Sequence, residues 1–224
     1  MNILFLDIEA TDLNADIGNV LCIGYKWAHE KSVHVMSIAD YPGKQINDDI
    51  NLLEAFEPVF SKADLVIHHF GDYYDIPFLQ TRRLIKGLNP MPSVSTVDTW
   101  RIAKKRLKFG SNRLERILDV LGCPYKKTPL KLSIWASARV GIRGPLKYII
   151  KHCKNDVLVL EWVYNRIKAI WDQHPNIQRT SLGRICSICG GHGQSRGLRA
   201  TLGGQYQRLV CLKCGHSWKG PKVK

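Results

Sequence analysis

The apolar run NILFLDIE, Asn2 to Glu9, carries two acids at its far end. Strands are poor in Asp and Glu, so a pair of them two residues apart among Ile, Leu and Phe points to a purpose. Side chains alternate across a strand, which puts Asp7 and Glu9 on one face, about 6.5–7 Å apart along the chain. That separation lets two carboxylates converge on a pair of metal ions about 3.5–4 Å apart. Hard oxygen donors suit Mg²⁺ or Mn²⁺. A strand end running into a turn at Ala10-Thr11-Asp12, with both acids solvated, fits the same residues.

Two further sets of residues have suitable chemistry. Asp75 stands just before Pro77 at the start of a helical pattern (Ile76, Phe78, Leu79, Leu84, Ile85) that Gly87 ends. Such an acid is either a ligand or a cap for the positive end of the helix. Gly144 and Pro145 open the longest helical pattern, with Leu146, Ile149, Ile150, Cys153, Val157, Leu160, Val163, Ile167 and Ile170 recurring at three and four. His152 and Asp156 fall four apart on it and share a face. An imidazole beside a carboxylate combines a proton acceptor with a metal ligand; a half-exposed His beside a solvated Asp is the plain alternative.

The elements that must position these groups follow from the same patterns. Val20 to Ala28 and Val33 to Ile38 read as strands that form an antiparallel meander with the first. Asp48 to Phe60 has helical spacing, and Ala63 to His68 is a short buried strand leading into HHFGDYYD. Ser93 to Val97 is a strand, Asp98 to Lys108 a basic helix, and a further helix follows Asn112, with Asn112 and Glu115 placed for a capping box.

The 224 residues carry a formal net charge of +14, which points to a polyanionic partner, nucleic acid before membrane. Ten Lys and Arg face two acids between Arg101 and Lys131; Lys104, Lys105, Arg106, Lys108 and Arg113 are candidate phosphate contacts. From Asn176 to Lys224 there are nine Lys and Arg and no acid. The first residues do not read as a signal peptide, and no apolar run is long enough to span a membrane. A cytoplasmic location is expected.

Of seven cysteines, four form two CxxC pairs, Cys186/Cys189 and Cys211/Cys214, separated by 21 residues. That spacing points to one structural Zn²⁺ held by four thiolates, with His192 and His216 as alternative ligands. The flanking Gly190, Gly191 and Gly215 and a short strand at Tyr206 to Cys211 resemble a zinc ribbon. Cys22, Cys123 and Cys153 are scattered among apolar neighbours, which suits a reducing compartment. The expected organisation is a catalytic domain over 1–173, a linker over 174–184 and a basic ribbon over 185–224. The ribbon depends on its metal to fold. Arg196, Arg199, Arg208, Lys213 and Lys219 are expected on a nucleic-acid backbone, with Tyr206 or Trp218 available for stacking.

Taken in order, DIE, HFGDYYDIPFL and HCKND resemble the three motifs of the DEDD exonuclease superfamily, built on the ribonuclease H-like fold. The resemblance covers about Asn2 to Trp171. It departs at Phe70, where the family has Asn, and at His152-x-x-x-Asp156, which joins the spacing of the tyrosine branch to the residue of the histidine branch. STVDTWRIAKKRLKFGSNRLERILDVLG adds a likeness to stand-alone relatives of the proofreading domain of family B polymerases. The resemblance implies an α/β domain with a mixed sheet flanked by helices. It also implies two Mg²⁺ or Mn²⁺ ions held by Asp7, Glu9, Asp75 and Asp156, with His152 as general base. The implied reaction is two-metal 3′ to 5′ hydrolysis of DNA at single-stranded or frayed 3′ ends. An exoribonuclease, a nuclease that cuts internally at structured sites, and an inactive nucleic-acid-binding module are the alternatives.

Overall fold

The computed structural model describes residues 2–125, 127–129, 131–175 and 183–223. Its first unit is built on a five-stranded mixed sheet in the order β3-β2-β1-β4-β5. The strands are β1 (Ile3–Ala10), β2 (Val20–Trp27), β3 (His34–Ser37), β4 (Leu65–His68) and β5 (Ser95–Asp98). The first three form the expected antiparallel meander; β4 and β5 join β1 in parallel. Among the described residues six helices interleave with and then follow the strands: α1 (Ile50–Ser61) before β4, α2 (Asp75–Ile85) before β5, then α3 (Thr99–Arg106), α4 (Leu114–Leu121), α5 (Leu132–Arg139) and α6 (Arg143–Ile167), the last prolonged by a 3₁₀ turn.

Alternation along β1 divides the core. Leu4, Leu6 and Ile8 enter a cluster with Leu52, Leu53, Phe56 and Phe60 of α1 and Phe78 and Leu79 of α2. Phe5 faces the other way, into a cluster with Ile102 and Ala103 of α3, Ile117 and Leu118 of α4, and Val157, Leu160, Val163 and Ile167 of α6. Asp7 and Glu9 therefore share the Phe5 side, under α6. Full burial of each such Leu, Ile or Phe contributes about 1.5–3 kcal/mol, so α6 is held on the sheet by the residues that recur along it.

A buried ion pair joins α2 to the start of α1. Arg82 of α2 grips Asp49 through Nε and Nη2, each at 2.9 Å, and also reaches Ala15 O at 3.0 Å and Asn19 Oδ1. Asp49 accepts the Val20 N–H as well. The loop leaving β1 is thereby fixed to α1 and α2.

The structure corrects two readings of this region. The capping box at Asn112 does not form: α4 begins at Leu114, its N-cap Arg113 makes no side-chain cap, and the Asn112 carbonyl is engaged by His69 Nε2 at 3.0 Å. The α5 helix has no counterpart in the sequence reading. Only Ala138 of it is buried, so no apolar stripe announced it.

The second unit is a three-stranded antiparallel sheet, β6 (Gly193–Thr201), β7 (Gly204–Cys211) and β8 (Ser217–Lys222), of which only the middle strand was legible. Arg106 of α3 and Arg199 of β6 both pair with Asp172, and His216 Nδ1 lies 3.2 Å from the Ala169 carbonyl. The Arg199 and His216 contacts seat the ribbon against the segment that follows α6. No helix among the described residues is long and apolar enough to cross a membrane.

Candidate functional site

Asp7 pairs in register with Gly24 of β2. A Cβ at Gly24 would stand 2.7 Å from Cys153 Sγ and 3.0 Å from Val157 Cγ2. Glycine thus lets α6 lie close against the sheet beside Asp7, and one turn of that helix carries His152 and Asp156 over Glu9. His152 Nε2 is 3.6 Å from Glu9 Oε1 and 3.6 Å from Asp156 Oδ2. One donor atom from each of Glu9, His152 and Asp156 fits within 4.8 Å of the others.

Asp75 arrives from the opposite side. The ladder between β1 and β4 stops at Phe5, and beyond it the Ile8 N–H donates to Asp75 Oδ1 at 3.0 Å. The first residue of α2 is thereby fixed to the backbone between Asp7 and Glu9. Asp7 and Asp75 stand outside the Glu9–His152–Asp156 triad but are coupled to it by charge.

Burial pushes the Asp7 carboxyl well above its ordinary range, and the charges of Asp156 and Asp75 push it further. Glu9 is raised by burial, then by Asp7 and Asp156. Burial lifts Asp75 to about 6, against the pull of His68 and the Ile8 N–H. Asp7 Oδ2 and Asp156 Oδ1 are buried without a hydrogen-bond partner among the described residues. Mutually repelling carboxylates with orphaned oxygens are a donor set that fits hard divalent cations.

Lys127, on the loop between α4 and α5, sets its Nζ 2.6 Å from Asp156 Oδ2. Burial disfavours its ammonium, but Asp156, with Asp7 and Glu9 behind it, prevails and raises its pKa. The sequence reading counted Lys127 in a basic run open to phosphate; three-quarters buried, it is a counter-ion of the acids. Its neighbour Thr128 brings Oγ1 to 2.7 Å from His152 Nδ1. A proton on Nδ1 bonded to that hydroxyl leaves Nε2, which faces Glu9 and Asp156, as the free acceptor. Burial lowers the His152 pKa and keeps the ring neutral.

The loop that delivers Asp75 rests on groups that the sequence did not single out. His68, fully buried at the end of β4, has Nε2 3.2 Å from Asp72 Oδ1 and Nδ1 3.7 Å from Asp98 Oδ2. It holds the Asp72 carboxyl well below the ordinary range, with help from Arg101 and Thr96. Asp98 Oδ1 accepts the N–H groups of Phe70 and Trp100, both at 2.9 Å. Phe70 is thereby held at φ 70°, a conformation that costs a bulky residue about 1–3 kcal/mol. A Cβ on Gly71 would strike the His68 ring at 2.5 Å, so the turn closes over the imidazole only with glycine there.

Residues 4–168 match the model of the RNase H superfamily. The chain belongs to that superfamily. The mixed sheet with its flanking helices is the RNase H-like fold expected from the sequence, and the superfamily region holds all five residues of the candidate centre. Among solved structures it is similar to the family B DNA polymerase from the hyperthermophilic archaeon Pyrobaculum calidifontis. The superposition has a TM-score of 0.58 at 14% identity and covers 93% of this chain. The chain spans 32% of the polymerase. At that identity the likeness speaks for the fold. No curated protein matches the chain in sequence.

Beyond the RNase H superfamily region, Cys186, Cys189, Cys211 and Cys214 gather with their sulfurs within 4.8 Å. Cys186 Sγ lies 3.6 Å from Cys214 Sγ, and Cys189 Sγ 3.5 Å from Cys211 Sγ. Tetrahedral Zn²⁺ with Zn–S near 2.3 Å requires sulfurs roughly 3.8 Å apart, so the thiols fit that ion. His216 turns away from them to Ala169, and His192 stands outside the cluster. Trp218 is not available for stacking on a ligand: it is 5% exposed, stacked on His216, with Nε1 donating to Gly183 O at 2.9 Å. Among the described residues the ribbon's core otherwise holds Leu209, the cysteines and a partly buried Ile188, so Trp218 is needed inside.

The candidate phosphate contacts divide. Lys105, Lys108, Arg113, Arg196 and Lys213 are exposed. Lys104 lies over the Trp100 ring at 4.6 Å and Lys219 over Tyr206 at 4.2 Å, both exposed. Arg208 donates twice to the Arg196 carbonyl. Arg106 and Arg199 are engaged by Asp172.

Proposed function

We propose that the chain is a metal-dependent nuclease that removes nucleotides from the 3′ end of DNA, with Asp7, Glu9, Asp75 and Asp156 as its metal ligands. The observation that carries the reading is the convergence of Glu9, His152 and Asp156 within 4.8 Å beside the buried carboxylate of Asp7, which is coupled to them by charge. RNase H superfamily membership supports phosphodiester hydrolysis, and the polymerase-like fold favours DNA over RNA.

Two Mg²⁺ or Mn²⁺ ions would supply activation of a water and neutralisation of charge on the leaving oxygen. The chain's own groups do the rest. Asp7 and Glu9 present their carboxylates from the rigid strand β1, and Asp156 faces them from α6. Asp75, tied to the Ile8 N–H, completes the acidic wall. His152, with Nδ1 held by Thr128, accepts a proton at Nε2. The exposed lysines and arginines of α3 and of the zinc-held ribbon bind the phosphate backbone.

The test is the release of mononucleotides from 3′-labelled and 5′-labelled single-stranded DNA and RNA with Mg²⁺ or Mn²⁺. The reading requires early loss of the 3′ label, progressive shortening of the 5′-labelled strand, and neither in Asp7→Asn. Internal fragments would make the chain an endonuclease; no cleavage with either metal would leave it a binding module.

A further inference from the structure

Next to Asp75 the surface carries aromatic rings that belong to neither core cluster. Phe70 is 42% exposed and Tyr73 58% exposed. Their centroids lie 5.1 Å apart at 28°, and Trp100 meets both edge-on at 5.0 and 5.6 Å. Lys104 caps the Trp100 face, and Lys105 and Lys108 are exposed further along the chain. Tyr73 and Tyr74 also border an open groove of about 290 Å³ whose walls mix Leu13, Pro77 and Phe78 with the polar Asn14, Asp16 and Thr81. Aromatic faces with Lys104 at one edge thus extend from the loop that delivers Asp75 to α3.

We propose that Phe70, Tyr73 and Trp100 form a platform on which unpaired bases of a single-stranded nucleic acid stack. The proposal rests on the nuclease reading for its substrate class. Bases present flat π faces that aromatic rings accept whatever the sequence, and the phosphates between them meet Lys104 and Lys105. Bases inside a duplex are stacked on each other and offer no free face, so the occupant is a single strand or a frayed end. Phe70 replaces a polar residue at this point of the related motif. Asp98, by holding its N–H, keeps its ring beside Tyr73 rather than in the core.

The experiment measures binding of a 5′-fluorescein-labelled twelve-nucleotide oligothymidylate to the full chain by fluorescence anisotropy in EDTA. A second oligonucleotide has the same length and label with abasic sugars throughout. The wild type binds the intact strand more tightly, and Tyr73→Leu weakens that binding about 5- to 150-fold, in line with stacking of about 1–3 kcal/mol per base. The same variant leaves binding of the abasic strand unchanged. Phe70→Asn, which tolerates a left-handed backbone, behaves alike and guards against a folding defect in either variant. Equal affinity of wild type and variants for the intact strand, equal losses on both strands, or no binding by the wild type would overturn the platform. Hydrolysis is scored separately with Mn²⁺. Discrimination between the strands without nucleotide release sinks the nuclease reading and leaves the platform standing; release with no discrimination sinks the platform alone.

Discussion

Lys127 places its ammonium 2.6 Å from Asp156 Oδ2, inside the wall of acids that also includes Asp7 and Glu9. A cation in that position offsets repulsion among carboxylates that burial has already made costly to ionise. Lys127→Met removes it. In EDTA at neutral pH the variant is expected to lose about 1–3 kcal/mol of stability, less than a fully buried pair would because the lysine is partly solvated. Mn²⁺ takes over the same role, so thermal unfolding should show a larger upward shift on adding Mn²⁺ for Lys127→Met than for wild type. Equal shifts would mean that the lysine is not a counter-ion of the metal ligands.

The same repulsion sets Asp7→Asn apart. Asp7 is pushed up by burial and then by Asp156 and Asp75, so its negative charge is unfavourable in the metal-free fold. The isosteric amide is expected to raise the melting temperature in EDTA while abolishing nucleotide release, the trade expected where function maintains a strained charge set. A variant that is both inactive and less stable would place Asp7 in a structural role instead.

The residues that met at this centre were readable because acids in a strand and a His–Asp pair on an apolar helix violate local expectation. What supports them was not. His68 and Asp98 look like ordinary polar residues at strand ends, and their importance arises only when β4 and β5 lie side by side and pair His68 with Asp98 in register. Lys127 was invisible for a related reason: one lysine in a basic run cannot be told from its neighbours until the loop folds back on Asp156. The sheet was legible from alternation and apolar runs. The α5 helix and the outer ribbon strands were not, since they bury too little to leave a period.

His174 joins the end of the first unit to its neighbours through Nε2, 2.8 Å from the Tyr164 hydroxyl. Burial lowers its pKa to about 4, below the unfolded value of about 6.5. The unfolded chain therefore binds more protons between these values. The stability His174 contributes is present above pH of about 6.5 and is lost as pH falls toward 4, on the order of 1–2 kcal/mol by pH 5. His174→Gln should show a shallower fall in melting temperature from pH 7 to pH 5 than wild type; parallel curves would refute the assignment.

Four thiols at tetrahedral spacing around a core of Leu209 and Trp218 leave the ribbon with little but a metal to hold it. One Zn²⁺ per chain is expected by elemental analysis, falling to none in Cys211→Ser. Because structural Zn²⁺ supplies roughly 10–16 kcal/mol of apparent binding energy to such domains, that variant should lose the dispersed amide resonances of residues 183–223 while retaining those of β1 to β5. A folded ribbon without zinc would contradict the reading.

Gly24 controls how closely α6 approaches Asp7. An alanine Cβ would lie 2.7 Å from Cys153 Sγ, too close for any side chain to remain in place. Overpacking of this kind costs about 1–3 kcal/mol, and a shift of α6 carries His152 and Asp156 away from Glu9. Misplacement of a reacting group by about 1 Å costs roughly 100-fold in rate, so Gly24→Ala should depress nucleotide release far more than its stability loss explains. The cause is separable from a general folding defect. Cys153→Ala removes the sulfur that the new methyl strikes, so the double variant should recover part of both stability and rate, a positive coupling between the two sites. Val157 Cγ2, at 3.0 Å from the same point, limits the recovery. Strictly additive effects in the double variant would show that the distance between α6 and β2 does not set the geometry of the centre.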